Sequence, residues 1–472
     1  MNLHLLLARA DERASVLEMP LPLESVLEAP ASTRLSGVTH LSDVAGDPNS
    51  LTAQRWALIV PEGEWGRRIE AILEPLCALR AREQGVPVEV HRVPSGMDRT
   101  GAVQFREKVL HPSSRSRKEH ARYILLAGGL EELTQELQEV LVVEGACFVG
   151  RLAFKQDEEW EAYVGKVLAR EQAPSPPRKA RALYLCAGDG STAVRGGGLT
   201  IVTPAARQCQ EERQRGHLRA KEILEEVLPK GSADRLLDLA SAQEPTLLFT
   251  LSHGMGAPSG GWRSMEAQWR RQGNLFLGAG CELEPDMVRS RPFVPGGIWF
   301  YFACFGAGTP VQSVYEPWLK TLVDARHQKP GVLEQVADSR PVDGRPFVAA
   351  LPQAALANEQ GPLAVIAHLD LAWTHAFQDV LTGQSHVQRL EAVLSSLMVG
   401  HRAGPAFHAL LQSTSRADAR LRLRHETTTV AHAAGTPLPE DLVAQAYLWM
   451  ERHDIASYVL LGDPAVRLVA AH

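Results

Sequence analysis

The sequence predicts an α/β protein with a largely parallel sheet and helices on both of its faces. Short apolar runs of strand length alternate with longer segments of helical spacing from residue 56 onward, and such connections cover both faces of a parallel sheet with helices. The alternation restarts after the proline-rich segment 174–181 (PSPPRKAR), where adjacent prolines block helix and strand pairing alike. At 472 residues the chain is too long for one compact core, and about two or three packed units are expected.

Apolar periodicity places the individual elements. The residues before 56 show no sustained period and are predicted to form an N-terminal arm or irregular layer. The predicted strands are 56–60, 86–93, 122–129, 146–154, 182–187, 246–252, 275–280, 297–304 and 363–369. The predicted helices are 65–83, 131–141, 157–171, 206–228, 371–381, 386–400 and 440–453.

The composition argues against several classes of protein. The 49 basic and 55 acidic residues give a net charge of -6, which offers no global attraction for nucleic acid. Six cysteines without a C-x-x-C pair disfavour a disulfide scaffold and a metal site. The start MNLHLLLARADER lacks the basic region of a secretory signal, and no apolar run is long enough for a membrane helix. A cytoplasmic protein with no membrane partner is expected.

Two strand ends carry reactive side chains. His253 follows the apolar run TLLFTLS and precedes Gly254, while Cys304 follows GIWFYFA and lies two residues before Gly306. Catalytic groups of α/β sheets gather at the carboxyl ends of the strands. A thiol becomes a strong nucleophile when an imidazole within reach removes its proton, and glycine lets a substrate backbone approach. The sequence therefore predicts a catalytic pair of Cys304 and His253.

Each of these residues also has an ordinary interpretation. A cysteine that ends an apolar strand is usually a small buried hydrophobe, and a lone histidine is usually structural. Their occurrence together, in this order and with glycine after each, favours the catalytic interpretation. Cys281 is a rival nucleophile, but its strand is short and broken by glycine, and the neighbouring Glu282 and Glu284 are expected to raise the pKa of its thiol.

Three motifs resemble those of clan CD cysteine peptidases, and more narrowly the gingipain-like and CHAT-domain branches, which are relatives of caspases. They are Ser-His-Gly at 252–254, FACFGAG at 302–308 and LLGDPAVRL at 460–468. The resemblance covers about 145–472, where VGRLAF at 149–154 also takes part, and extends more loosely over 56–145. It implies an α/β/α sandwich of caspase–hemoglobinase type, with a second, smaller α/β subdomain N-terminal to it.

The resemblance also implies roles for particular residues. Cys304 matches the family's nucleophile, His253 its general base and acid, and the backbone amides of Gly254 and Cys304 its oxyanion hole. It divides the chain into an N-terminal arm (1–55), a pseudo-caspase-like subdomain (56–175) and a catalytic domain (176–472). The caspase signature QAC is absent because Phe302 and Ala303 precede the cysteine, so cleavage after aspartate is not carried over. No metal or other cofactor is expected.

Three acidic residues are candidates for substrate binding. Asp370 follows the strand 363–369, where separases and CHAT peptidases carry an acidic residue, and a carboxylate there would favour an Arg or Lys of the substrate. The alternative is that Asp370 caps a helix beginning near 371. Glu282 is a weaker rival. Asp189, in a glycine-rich loop that lacks a phosphate-binding pattern, either lines the cleft or is a turn residue.

These observations predict a cysteine endopeptidase that cleaves protein or peptide substrates after Arg or Lys. The resemblance places it in a bacterial proteolytic signalling or defence cascade, as a zymogen awaiting an activating protease or a regulatory protein. The segment 174–181, with Arg178, Lys179 and Arg181, is a predicted site for such a cut. The alternative function is that of a catalytically silent caspase-like scaffold or signalling module.

Overall fold

The computed structural model describes residues 2–11, 14–17, 19–22, 25, 46–142, 147–174, 177–218, 220–377, 383, 385–433 and 442–470. The strands are β1 (Asn2–Leu3), β2 (Leu7–Arg9), β3 (Leu21–Pro22), β4 (Trp56–Pro61), β5 (Glu89–Val93), β6 (Tyr123–Ala127), β7 (Phe148–Leu152), β8 (Ala180–Cys186), β9 (Ala220–Val227), β10 (Thr246–Leu251), β11 (His253–Gly256), β12 (Leu275–Gly278), β13 (Cys281–Leu283), β14 (Ile298–Phe302), β15 (Gly308–Thr309), β16 (Phe347–Val348), β17 (Ala364–His368) and β18 (Tyr458–Gly462).

The helices surround these strands. They are α1 (Leu51–Gln54), α2 (Glu64–Ile72), α3 (Glu74–Gln84), α4 (Arg99–Phe105), α5 (Gln135–Val142), α6 (Asp157–Glu171), α7 (Thr192–Gly197), α8 (Thr203–Gln214), α9 (Asp234–Ala240), α10 (Met265–Arg271), α11 (Pro285–Arg289), α12 (Glu316–Asp324), α13 (Pro330–Asp338), α14 (Ala350–Ala357), α15 (Gln388–Met398), α16 (Ala403–Ala433) and α17 (Leu442–Ala456). None of these helices is both long enough and apolar enough to cross a lipid bilayer.

A ten-stranded sheet forms the centre of the protein, in the order β5-β4-β6-β7-β18-β17-β14-β10-β8-β9. Every neighbouring pair is parallel except β17 and β18, which are antiparallel. The central strands are buried along their whole length, as expected for a sheet covered by helices on both faces. The predicted α/β class with a mostly parallel sheet is confirmed. The strands of the two halves run in opposite directions, so the carboxyl ends of β8, β9, β10, β14 and β17 lie at one edge of the sheet.

The register of β10 and β14 places the two candidate catalytic residues side by side. Leu247 pairs with Ile298, and Leu251 pairs with Phe302. These partners are separated along the chain by the same number of residues as His253 and Cys304. The chain therefore leaves both strands at the same level, and the histidine and the cysteine emerge next to each other at the carboxyl edge.

Two of the predicted helices are wrong. The predicted helix 206–228 ends as α8 at Gln214, and Ala220–Val227 is the edge strand β9. The charged sequence AKEILEEV suits an edge strand, because much of that strand faces solvent and its charges discourage pairing with other chains. The segment 371–381 contains only a short 3-10 turn at Thr374–Phe377, and 378–382 lies outside the described residues. The long helix α16 was not predicted.

The terminal LLGDPAVRL motif ties the last strand to the N-terminal half of the protein. The Asp463 carboxylate accepts a hydrogen bond from Trp56 Nε1 at 2.9 Å and faces Arg80 Nη2 at 2.7 Å. The Asp463 amide donates to the Tyr163 hydroxyl at 2.7 Å. These side chains are fully buried or nearly so, and the ion pair between Arg80 and Asp463 is completely enclosed. The motif thus connects β18 to the elements around β4 through buried side-chain contacts.

The N-terminal arm contributes strands of its own. β2 joins a small sheet of order β13-β12-β11-β2, in which it runs parallel to β11. β11 begins at His253, directly after the central strand β10. The arm therefore reaches the carboxyl edge of the main sheet, where the candidate catalytic residues lie.

Candidate active site

The backbones that carry His253 and Cys304 are in direct contact. The Ser252 amide donates to the Phe302 carbonyl at 3.1 Å. A Cβ atom added to Gly254 would lie only 1.8 Å from the Cys304 carbonyl oxygen, so the approach requires glycine at position 254. The structure thus brings the two predicted residues together, and the glycine after the histidine makes the contact possible.

Two backbone amides beside the cysteine point at a single oxygen atom. The amides of Gly254 and Cys304 donate to the carbonyl oxygen of Leu6, at 2.9 Å and 3.3 Å respectively. Converging N–H groups of this kind stabilise the negative charge that develops on a carbonyl oxygen during nucleophilic attack. They are the same amides that the sequence analysis assigned to an oxyanion hole.

The Cys304 thiol is completely buried. Its Sγ atom accepts a hydrogen bond from the Ala372 amide at 3.2 Å and lies 3.7 Å from the Ala372 carbonyl oxygen. Burial raises the pKa of the Cys304 thiol well above its ordinary value, and the charges of Asp370 and Asp454 add to this effect. The thiol is therefore protonated in this state, and nucleophilic attack would require a base to remove its proton.

His253 is also buried, and its ring is held from one side. Its Nε2 atom lies 3.0 Å from Ser191 Oγ and 3.6 Å from Asp189 Oδ2. Burial lowers the pKa of His253 to about 4, although the Asp189 carboxylate and the Leu6 carbonyl favour the charged form. Its Nδ1 atom has no hydrogen-bond partner within the described parts of the chain. A neutral ring with a proton on Nε2 would leave Nδ1 free to accept a proton.

Asp189 is both a turn residue and a neighbour of the histidine. One carboxylate oxygen accepts from the Ser191 amide at 2.8 Å, which is the turn geometry considered for it. The other oxygen faces the His253 ring. Ser191, whose hydroxyl also accepts from the Val194 amide at the start of α7, was missed in the sequence because a helix cap gives no signal of a second role.

Asp370 is buried at the end of β17, and its carboxylate is already bonded to backbone. Its two oxygens accept from the amides of Leu371 at 2.7 Å and Val314 at 2.9 Å. Burial raises the pKa of Asp370, and these hydrogen bonds oppose the rise. No helix begins at 371, and the 3-10 turn starts only at Thr374, so the alternative that Asp370 caps a helix is wrong. Binding of a basic substrate side chain by Asp370 stays a prediction.

Glu282 and Cys281 belong to the small sheet. The Glu282 carboxylate forms an ion pair with Arg271 at 2.6 Å. Burial raises the pKa of Glu282, although the charge of Arg271 acts to lower it. Arg271 in turn donates to the Ala10 carbonyl at 3.4 Å, so the pair supports the N-terminal arm. Cys281 begins β13, whereas Cys304 follows the end of a central strand. Burial also raises the pKa of Cys281, and the adjacent Glu282 contributes to the rise.

The N-terminal arm covers the catalytic pair. The Leu6 amide donates to the Ala372 carbonyl at 3.4 Å, and Leu5 forms an antiparallel bridge with Trp373. Further along, Leu7–Arg9 pairs in parallel with Gly254–Gly256 of β11. Leu6 is completely buried. These residues belong to the predicted N-terminal arm or irregular layer, because a segment this short carries too little periodicity for a strand to be assigned.

Comparison with known proteins supports the fold. No family model and no curated protein matches the chain. Among solved structures, one described only as a protease aligns with a TM-score of 0.51 at 12% identity, covering 88% of this chain and 78% of its own. The Arg-specific cysteine proteinase gingipain R aligns with a TM-score of 0.51 at 11% identity over the same shares. A separase–securin complex from Saccharomyces cerevisiae reaches only 0.32 at 10% identity, covering 73% of this chain and 15% of its own.

The protein therefore has the α/β/α sandwich fold of caspase–hemoglobinase type that the sequence resemblance implied. At this level of identity the similarity establishes the fold alone. Any reaction has to be argued from the side chains at the carboxyl edge. Groups of three or more His, Cys, Asp or Glu side chains able to hold a metal ion are absent from the described ranges.

Replacement of Asp189 by asparagine tests its part as a positioning residue for His253. We expect kcat to fall by roughly 10- to 1,000-fold, since an amide fixes the ring and its tautomer less well than a carboxylate does. The acid limb of the pH–rate profile should move to lower pH, because the carboxylate that favours the charged imidazole is gone.

The matched control is Asp286→Asn, since the Asp286 side chain is 71% exposed and bonds only to Arg270 among the contacts described. That variant should retain the wild-type rate and pH profile. An unchanged acid limb in a folded Asp189→Asn protein would contradict the positioning role.

Proposed function

We propose that this protein is a cysteine endopeptidase in which Cys304 is the nucleophile and His253 the general base and acid. The observation that carries the proposal is the convergence of the Gly254 and Cys304 amides on one peptide carbonyl oxygen beside the thiol. A peptide bond placed there has its oxygen held by two N–H donors, one of which is the amide of the cysteine itself. This is the arrangement that acyl transfer to a thiol requires.

The reaction follows from the groups at the site. His253 removes the proton from the Cys304 thiol, and the sulfur attacks the carbonyl carbon of the substrate. The oxyanion is held by the two amides, and the carbon–nitrogen bond then breaks as His253 transfers the proton to the leaving amine. A thioester remains on Cys304, and a water molecule activated by His253 hydrolyses it. Asp189 and Ser191 hold the ring through Nε2 during both steps.

Several finer points remain predictions. Likeness to the fold of gingipain R, an Arg-specific cysteine proteinase, supports a peptidase that acts on protein substrates. The CHAT branch and cleavage after Arg or Lys are expectations from the sequence motifs and from Asp370, and the position of the Leu6 carbonyl at the Gly254 and Cys304 amides argues against the second of them. Six free cysteines support the reducing, cytoplasmic setting expected from the sequence.

Zymogen control by an activating protease or regulatory protein is likewise a proposal. In the segment 174–181 the side chains of Arg178 and Lys179 are exposed, which suits a cleavage site. Arg181 is buried in β8 and forms an ion pair with Glu222 at 2.6 Å, so a cut after it is disfavoured. Residues 175–176 lie outside the described part of the chain.

The complete burial of Cys304 is the observation that favours the second candidate, a catalytically silent scaffold. Such a scaffold would have no need to admit a peptide to the thiol. The two functions differ in whether a peptide bond is ever cut in a manner that depends on the catalytic pair.

Incubation of a diverse peptide library with the wild-type protein and with His253→Gln tests this proposal. Mass spectrometry should detect cleavage by the wild type, with a rate lower by roughly 1,000-fold or more in the variant, because proton transfer to and from the thiol is lost. His120→Gln is the control, since its ring stacks on His111 just before β6, which is four strands away from β14 in the order of the central sheet. Equal cleavage by wild type and His253→Gln would contradict the proposal.

A further inference from the structure

We propose that the cleft selects leucine, and not arginine or lysine, at the residue whose carbonyl is attacked, and that Asn2–Arg9 occupies the cleft as a built-in peptide. The inference rests on the proposed function, since it names the substrate class of that site. It is carried by the path of the N-terminal arm past Cys304.

The arm lies across the site in the manner of an extended peptide. On one side of Leu6, its own amide donates to the Ala372 carbonyl and Leu5 bridges Trp373. On the other side, Leu7–Arg9 pairs with β11. Extended peptides bind sheet edges by main-chain hydrogen bonds of this type, while side-chain pockets give specificity. The main chain is thus held both before and after Leu6.

The position of Leu6 fixes the register of this peptide. Its carbonyl oxygen accepts from both amides of the proposed oxyanion hole, at 2.9 Å and 3.3 Å. An oxygen in that place belongs to the residue preceding the bond to be cut, which is the P1 residue. The Leu6–Leu7 bond therefore occupies the place of the scissile bond, and the Leu6 side chain occupies the P1 position.

The segment contains an arginine that does not occupy this position. Arg9 pairs with Gly256, three residues beyond Leu6 on the leaving-group side. A shift of the arm by three residues would bring Arg9 to the oxyanion hole, yet the structure places the leucine there. The packing around Gly256 fits this register, because a Cβ atom added at Gly256 would lie 2.9 Å from a Leu7 methyl group.

The surroundings of Leu6 favour an apolar side chain. Leu6 is completely buried within the main hydrophobic core. A buried guanidinium or ammonium group is costly unless a charged partner compensates for it.

Asp370, the partner that the sequence predicts for such a charge, is already bonded. Both carboxylate oxygens of Asp370 accept backbone amides, from Leu371 and Val314. Pairing with a substrate arginine would have to compete with those contacts. A leucine at P1 needs no charged partner. A peptide with the sequence of the arm fits the cleft in the form that this structure shows.

Occupation by the arm also closes the site. Leu6, His253 and Cys304 are all fully buried in this state. A substrate has to displace the arm before it reaches the thiol, so weakening the arm's hold should increase the rate. Substitution of Leu6 therefore tests both the occupation of the cleft by the arm and the preference for leucine at P1.

The first experiment compares two fluorogenic peptides of the same sequence, one with leucine and one with arginine at P1. The full-length wild type, Leu6→Ala and Leu6→Asp are assayed, with Leu51→Ala as the control because Leu51 is also buried but lies in α1, outside the segment Asn2–Arg9. Both Leu6 variants should hydrolyse the leucine peptide about tenfold or more faster than the wild type, because the competing arm is weakened. The leucine peptide should exceed the arginine peptide by about tenfold or more in kcat/KM.

The same assay can also contradict the inference. A higher kcat/KM for the arginine peptide in Leu6→Ala would contradict leucine selection. An unchanged rate in both Leu6 variants, with thermal melting showing that at least Leu6→Ala is folded, would contradict occupation of the cleft by the arm. Leu51→Ala should keep the wild-type rate for both peptides.

A binding measurement separates this inference from the proposed function. A labelled octapeptide with the sequence Asn2–Arg9 should bind full-length Leu6→Asp that also carries Cys304→Ala, which cannot hydrolyse it, in a fluorescence anisotropy titration, and a version with aspartate in place of its Leu6 should not. Octapeptide binding without hydrolysis of any peptide would support occupation of the cleft and overturn the peptidase function. Hydrolysis of the arginine peptide alone, with no octapeptide binding, would overturn this inference and leave the peptidase function standing.

Discussion

Replacement of Cys304 by alanine should abolish peptide hydrolysis, with a loss of roughly 10,000-fold or more in kcat. The thiol belongs to the residue whose own backbone amide is one of the two that converge on the Leu6 carbonyl oxygen. Alanine keeps the backbone amide of the oxyanion hole and removes only the sulfur. The assay is hydrolysis of a peptide in the wild type and in Leu6→Ala, each with and without Cys304→Ala.

The control for this change is Cys281→Ala. Cys281 is the rival nucleophile of the sequence analysis, and it begins β13 on the small sheet. We expect that variant to retain the rate of its parent protein. Thermal melting should show that Cys304→Ala is folded, because it loses little beyond the contact with the Ala372 amide. Retention of hydrolysis in a folded Cys304→Ala protein would refute the nucleophile assignment.

Replacement of Asp463 by asparagine should lower the free energy of unfolding by about 3–5 kcal/mol, as is found when one partner of a buried ion pair is removed. The Arg80 side chain is fully enclosed, and Asp463 is its completely buried partner at 2.7 Å. Burial opposes the charge on Arg80, but Asp463 together with Glu171 and Glu83 raises the pKa of its guanidinium. In the Asp463→Asn protein the buried Arg80 guanidinium loses the carboxylate that compensates most for its charge.

Urea denaturation of the two proteins measures this loss. Asp286→Asn serves as the matched control, since its ion pair with Arg270 is largely exposed and a change within about 0.5 kcal/mol is expected at such a site. Equal stabilities for Asp463→Asn and the wild type would show that the terminal motif does not lock the two halves of the sheet together.

Much of the fold could be predicted because its central strands are continuously apolar. WALIV, RYILLAGG and LAVIAHL each match a buried strand, and helix 157–171 matches α6 to the residue. Their continuously apolar sequences are those of strands that are buried on both faces of the sheet. The edge strand β9 could not be recognised, because half-exposed AKEILEEV has the charge content of a helix surface.

The catalytic pair could be predicted because it follows two recognisable strands. The residues around it could not. Ser191 and Asp189 reach His253 from a loop, and only the folded chain shows that their side chains face its ring. The position of the arm was not predicted at all. Leu6 lies at the Gly254 and Cys304 amides through contacts between residues that are far apart in the sequence. Such long-range pairing leaves no local pattern to read.

The assignment of Cys304 as the nucleophile is tested most directly by covalent labelling. The full-length Leu6→Ala protein is treated with two peptidyl acyloxymethyl ketones, one with leucine and one with arginine at P1, and its cysteines are mapped by mass spectrometry. We expect a single adduct, on Cys304, that is lost when His253 is also replaced by glutamine. A folded protein that forms no adduct, or forms one on another of its six cysteines while Cys304 stays unmodified, would contradict the assignment.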